Sequence, residues 1–284
     1  MNLAANEDRS QKIADTPSRE QPHLRVDALH TLEQFQGCVD LQVAVWGYSD
    51  SDLIPRRMFL LADRIGGQVL GAFDGETMAG FAMGLPGYRN GQPYLHSHML
   101  AVLPEYRNVG LGRGLKLAQR NDALARGFEL MEWTFDPLEI KNAYLNIERL
   151  GAVCRRYQPD FYGPSSSPLQ GGLPTDRLYA EWWLRSPRVL RHLGEPAPPE
   201  NPVEREREQI LVPQAIQEWK QHPETRERAI EYQRGNREAL QSAFARGLAV
   251  TGYRREENGD GSFLLSHLVP AEIAPFYSEI PSGA

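Results

Sequence analysis

Residues 102–117 read VLPEYRNVGLGRGLKL. An apolar run from Leu95 to Val102 ends at Leu103-Pro104. Arg107, Gly110, Gly112 and Gly114 follow, and Leu111, Leu115 and Ala118 continue at helical spacing. The stretch predicts a strand, a glycine-rich turn and the start of a helix. Such a turn captures anions. A helix N-terminus presents unpaired N–H groups and partial positive charge, and glycines let a pyrophosphate approach without meeting a Cβ. Two nucleotide patterns are excluded. The NTPase phosphate loop ends in Gly-Lys-Ser/Thr, whereas here Gly114 is followed by Leu115-Lys116. The dinucleotide fingerprint is spaced G-x-G-x-x-G, and Gly110-Leu111-Gly112-Arg113-Gly114 is not.

Around this turn lies a chain of 284 residues, long enough for a sizeable core and one or two domains. A net charge of −6 argues against a general nucleic-acid binder, while leaving room for a local basic pocket. No apolar stretch approaches the ~20 residues of a membrane span, so no membrane partner is expected. Residues 1–22 are polar and lack the apolar core of a signal peptide; they are expected to be a disordered tail. Cys38 and Cys154 are the only cysteines and form no CxxC pair. Neither a disulfide framework nor a metal site is expected, and a reducing cytoplasm fits best.

Periodicity predicts a first strand at 23–29 and a helix capped by Thr31 with Phe35, Val39, Val43 and Trp46 on one face. A second helix is expected at 56–65. Strands at 69–73 and 78–85 are joined by Asp74-Gly75, a hairpin signal. The strand 94–102, the helix 110–126, a strand 130–135, a helix 140–150 and strands 153–157 and 177–184 complete a unit spanning 23–184. Five prolines make 185–203 a linker. Residues 204–284 form a small extension with a strand (209–212), a helix (225–246) and a hairpin around Asn258 to Gly261, expected to pack on the first unit because alone it is too small.

Arg107-Asn108-Val109-Gly110-Leu111-Gly112 resembles motif A of the GCN5-related N-acetyltransferase (GNAT) superfamily, written Q/R-x-x-G-x-G/A, and fills every position. The element order over 23–184, somewhat more than half of the chain, is also that superfamily's. The resemblance implies an α/β fold with a mixed sheet whose central strands splay, with acyl-CoA (acetyl-CoA or succinyl-CoA) as co-substrate and no metal. It assigns pyrophosphate contacts to the N–H groups of Asn108, Val109, Gly110, Leu111, Gly112, Arg113 and Gly114, and pantetheine pairing to Leu100, Ala101 and Val102. Arg107 adds charge beside the phosphates or braces the turn.

Acyl transfer to an amine needs a proton acceptor, a polarised carbonyl and a leaving thiolate. Some superfamily members carry a glutamate eleven residues before the motif; that position is His96, with His98 on the same strand face. An imidazole accepts protons near neutrality. Glu132 on the next strand is the competing base. The usual tyrosine acid is missing: its position in the helix after Asp136-Pro137 holds Ile147, and Tyr144, nearly one turn earlier, is the substitute. Asn142 and Asn146, one turn apart, are expected to share a face and meet the pantetheine arm or brace the preceding loop. The runs Trp133 to Leu138, Asn142 to Asn146 and Leu150-Gly151-Ala152, with Tyr162-Gly163 and Gly172 to Arg177, resemble a bacterial branch with a C-terminal extension, some of whose members look like amino-acid N-succinyltransferases. In that segment Asp176 and Arg177 are the polar pair expected at the substrate, with Arg177 as a bidentate carboxylate clamp. Of the adjacent strand residues Arg155 and Arg156, only one is expected to face the site.

The expectation is a cytoplasmic CoA-dependent N-acyltransferase acting on a small-molecule amine, with a homodimer formed through sheet edges. A non-catalytic acyl-CoA sensor and a protein-lysine acetyltransferase are the alternatives.

Overall fold

The computed structural model describes residues 24–49, 51–89, 91–199, 208–269 and 273. The expected N-terminal tail and the end of the expected linker lie outside them. Leu24–Ala28 (β1) leads into Leu32–Trp46 (α1), which opens with a capping box between Thr31 and Gln34 and ends at Gly47, whose φ of 63° is left-handed. Arg56–Arg64 (α2), Gln68–Asp74 (β2), Thr77–Arg89 (β3) and Gln92–Val102 (β4) follow. Then come Leu111–Ala125 (α3), Leu130–Phe135 (β5), Ile140–Tyr144 (α4), Val153–Gln158 (β6) and Arg177–Trp183 (β7). Pro187–Leu193 (α5), Glu208–Val212 (β8), Ile216–Trp219 (α6), Arg226–Ala245 (α7), Leu248–Arg255 (β9) and Gly261–His267 (β10) close the order.

All ten strands join one sheet in the order β1-β2-β3-β4-β5-β7-β6-β9-β10-β8. Every neighbouring pair is antiparallel except β4–β5. Strand alternation distributes the core between the two faces. Val69, Phe81 and Met83 pack with Phe35 and Phe59 under α1 and α2. Their neighbours Leu70 and Ala82 pack on the opposite face against Leu111 and Leu115 of α3.

The extension continues both the sheet and the core. Cys154 of β6 pairs with Val250 of β9, and Val212, Leu240, Phe244 and Phe263 lie in one apolar cluster with Leu95, Met131 and Trp182. The stretch expected to be a linker contains α5. Ser186 caps it through Val189 N–H and Pro187 sits in its first turn, where a missing N–H costs nothing. Arg120 then fixes Glu195 by two hydrogen bonds of 2.6 and 3.0 Å. Proline count alone misread this segment, because a proline in a first turn starts a helix. The helix expected at 140–150 also changes pitch: α4 ends at Tyr144, and Leu145–Arg149 is a π-turn.

Candidate active site

β4 and β5 share only two rungs, Leu95 with Met131 and His96 with Glu132. Beyond them β4 runs on to Val102 with β5 no longer alongside, so a cleft opens between two strands of one sheet. On its other side β4 stays paired with β3 through Leu100, Ala101 and Val102. The β3–β4 register shifts at this point: Met83 pairs with Met99 and Gly84 with Ser97, leaving His98 as an extra residue. That bulge keeps His96 and His98 together, with ring centroids 6.1 Å apart.

One end of the cleft meets α3. Gly110, with φ 89°, precedes the helix, and no side chain caps its N-terminus. A Cβ added at Gly110 or Gly114 would meet nothing within 4 Å, and one at Gly112 only Leu100 Cδ2 at 3.8 Å. The protein's own packing therefore does not require glycine at 112 or 114; the bare backbone faces open space beside uncapped N–H groups, which suits a pyrophosphate. Asn108 also holds a positive φ, 65°. Arg107 donates from Nε to the Val102 carbonyl at 3.2 Å and so braces the turn.

The sheet face carrying His96 is polar beyond the rim of α1 and α2. Glu132, 2% exposed, accepts from Arg89 at 3.2 and 2.8 Å and from Arg156 at 2.6 Å. Glu181, across from it on β7, accepts from Arg155 at 3.2 and 2.6 Å, with Arg156 Nε 3.5 Å away. Three guanidiniums thus meet two carboxylates. Burial, then His98, Lys116, Arg156 and Arg89, push His96 down to about 4. Glu132 lies 4.0 Å from His96 Nδ1, but its charge is already answered by two arginines. Burial lowers His98 as well.

The wall of this face is built from two loops. Ser166 N–H and Oγ donate to Asp52 at 2.7 and 2.6 Å, and Ser167 Oγ donates to the Trp46 carbonyl at 2.7 Å. These bonds tie the β6–β7 loop to the segment after α1. Tyr162 OH stands 3.2 Å from Thr134 Oγ1, two residues beyond Glu132. The Arg177 guanidinium lies over the Tyr162 ring, 5.3 Å from its centroid. Arg177 donates to its neighbour's carbonyl and makes no ion pair among the described residues.

Residues 28–143 match the family model described as acetyltransferase (GNAT) family. Over these residues the chain resembles a GNAT domain. No curated protein matches the chain in sequence. Among solved structures it is similar to yncA of Salmonella typhimurium, solved with its cofactor acetyl-CoA (16% identity, 57% of this chain and 94% of that one, TM-score 0.46). It is also similar to the ribosomal-protein-S18-alanine N-acetyltransferase of Escherichia coli (15%, 56% and 92%, 0.45) and to Arabidopsis thaliana Naa50 in complex with a bisubstrate analogue (13%, 56% and 97%, 0.43). A GNAT domain implies acyl transfer from CoA.

The geometry corrects several expected roles. Asp176 is fully buried; its oxygens accept from Arg237, Tyr157 OH and the Asp160 N–H, which leaves no side for a substrate. Glu132 is neither an exposed carboxylate nor a free base, because two guanidiniums hold it. Tyr144 stands against Arg255 of β9, 5.8 Å from ring centroid to guanidinium, and no contact among the described residues joins it to His96 or Glu132. The π-turn separates the asparagines: Asn142 is exposed and Asn146 buried, so they do not share an environment. Arg155 and Arg156 both reach Glu181. Cys154 pairs with Ala180 and Tyr157 with Leu178, so two residues stand opposite Tyr179, and the bulge turns both to one face.

Arg89 and Glu181 were not picked out from sequence. Their one legible signal was charge at inward strand positions. Among the described residues no helix is long and apolar enough to cross a membrane, and no cluster of His, Cys, Asp and Glu could hold a metal ion.

Proposed function

We propose that the chain is a CoA-dependent N-acyltransferase that moves an acetyl or short dicarboxylic acyl group from acyl-CoA directly to the primary amine of a small molecule bearing a carboxylate, such as an amino acid. The observation that carries this reading is the β4–β5 cleft, with an uncapped glycine cradle at one end and, toward the other, a polar face where Arg177 has no carboxylate partner among the described residues.

Acyl-CoA supplies the activated thioester when bound. The N–H groups from Asn108 to Gly114 hold its pyrophosphate, and the edge of β4 at Leu100, Ala101 and Val102 receives the pantetheine arm as an added strand. His96 accepts the proton that the amine gives up, with His98 beside it. Its imidazole is neutral across the physiological range, as an acceptor must be, but with a value near 4 it is a weak base. Orientation of the two substrates must therefore supply much of the rate. Arg177 clamps the carboxylate of the acceptor and thereby fixes its amine.

One alternative has its own observation. Tyr144 faces β9 rather than the cleft, so the expected acid is missing, which favours a sensor that binds acyl-CoA without turnover. Release of free thiol from acyl-CoA, measured with a panel of amines, separates the two. Amine-dependent release supports the enzyme; CoA-ester binding with no release under any amine supports the sensor. Best turnover with a lysine peptide would move the acceptor to protein.

A further inference from the structure

Two lysines are buried among the described residues. Lys220 has its carboxylates, Glu139 and Asp136. Lys116, 4% exposed, has none. Its Nζ donates to Ser97 Oγ at 2.8 Å and lies 3.6 Å from the centroid of the Trp133 ring. Ser97 Oγ in turn donates to Gln119 Oε1 at 2.8 Å. A lysine ammonium has three donors, and one hydroxyl satisfies only one. Burying such a group without an anion is costly.

Its place in the fold says which anion is meant. Ser97 and Trp133 are the first residues after the last shared rung, His96 with Glu132. Lys116 therefore spans β4 and β5 where they part, at the inner end of the cleft. The phosphates cannot be its partner. They belong at the start of α3, about 7.5 Å away along the helix axis, whereas Lys116 lies under the sheet. A thioester entering along Val102 and Leu100 puts the far end of its acyl group nearest Ser97.

Resting on the acyl-CoA reading above, we infer that Lys116 is the receptor for a carboxylate at the distal end of the acyl chain, so that the donor is the CoA thioester of a short dicarboxylic acid. Burial holds the Lys116 ammonium well below the ordinary lysine range, and an incoming carboxylate pairs with it and restores the charge. An acyl chain ending in methyl adds no anion to the hydroxyl and ring that the amine already meets.

Calorimetric binding of acetyl-, butyryl- and succinyl-CoA to the full chain tests this. Butyryl and succinyl have the same chain length and differ in ending as methyl or carboxylate. The wild type should bind succinyl-CoA at least about tenfold more tightly than butyryl-CoA, the size of one charge-assisted hydrogen bond. Lys116→Met should abolish or reverse that preference while acetyl-CoA binding changes little. Equal binding of the two esters by the wild type overturns the inference without any variant, as does a succinyl preference that survives in Lys116→Met. Acyl groups found on Lys116 by intact-mass and peptide mapping also overturn it, since the amine would then be a nucleophile. Failure of every CoA ester to bind would instead remove the acyl-CoA reading itself.

Discussion

The Arg237 guanidinium holds Asp176 through two hydrogen bonds of 2.8 Å each, and so pins α7 to the residue just before β7. Asp176 is fully buried, while the Arg237 side chain keeps 27% exposure. The extension is thus fastened next to Arg177, whose own direction depends on the residue before it.

Arg237→Ala should leave the Asp176 carboxylate with Tyr157 and one N–H for its charge. Removing one partner of a buried pair costs about 3–5 kcal/mol, and the partial exposure of Arg237 places this case at the lower end. Urea denaturation measures it. A change within about 0.5 kcal/mol, the range of an ordinary surface substitution, would show that the pair does not fasten α7.

Gly112→Val should separate binding from folding. The new side chain meets only Leu100 in the protein, so the melting temperature should hardly move. Phosphate contacts of about 1.5–3 kcal/mol each should be lost. Titration with CoA beside thermal melting reads both. A folded variant with wild-type affinity would take the pyrophosphate away from this turn.

His96→Gln should lower turnover by about 10²–10⁴-fold while CoA affinity stays. Because the imidazole must be neutral, its limb in the pH–rate profile should lie near pH 4, and the rate should not fall at pH 6 on its account. A limb near 6.5 would assign the proton to another group.

The same group shapes stability. The folded value is depressed, so the unfolded chain binds the proton first as pH falls. The His96 contribution is therefore present above about 6.5 and is lost on descending toward 4. His96→Gln should flatten that part of the stability–pH curve, and an unchanged slope would count against a buried neutral His96.

Arg177→Lys keeps the charge and removes the planar fork. The KM of the carboxylate-bearing acceptor should rise by about tenfold or more, while the dissociation constant of CoA changes little. Equal effects on both would place Arg177 in general folding rather than at the acceptor.

Much of this was legible where local rules act alone. Thr31 and Gln34 announce a capping box, Asp74-Gly75 a hairpin, and Arg107 to Gly112 an anion turn, because each is settled within a few residues. What sequence missed depends on pairing between distant segments. A plain strand turns only one of Arg155 and Arg156 toward the site, and both reach it only once β6 lies beside β7 with a bulge and Glu132 comes within 2.6 Å of Arg156. Asp176 reads as a ligand because its partner lies 61 residues away. Lys116 falls at a core position of α3, and only the structure reveals that no carboxylate among the described residues comes to meet it.

The bulge in β6 has a consequence for charge. Cys154 and Tyr157 hold their rungs with Ala180 and Leu178 while two residues, Arg155 and Arg156, stand opposite Tyr179 alone. Deleting Arg156 would restore a plain ladder without sliding the strand, whereas a one-residue slip elsewhere would turn every following side chain to the wrong face. The extra residue is thus an insertion that brings a second guanidinium to Glu132 and Glu181 while the rungs on either side keep their register.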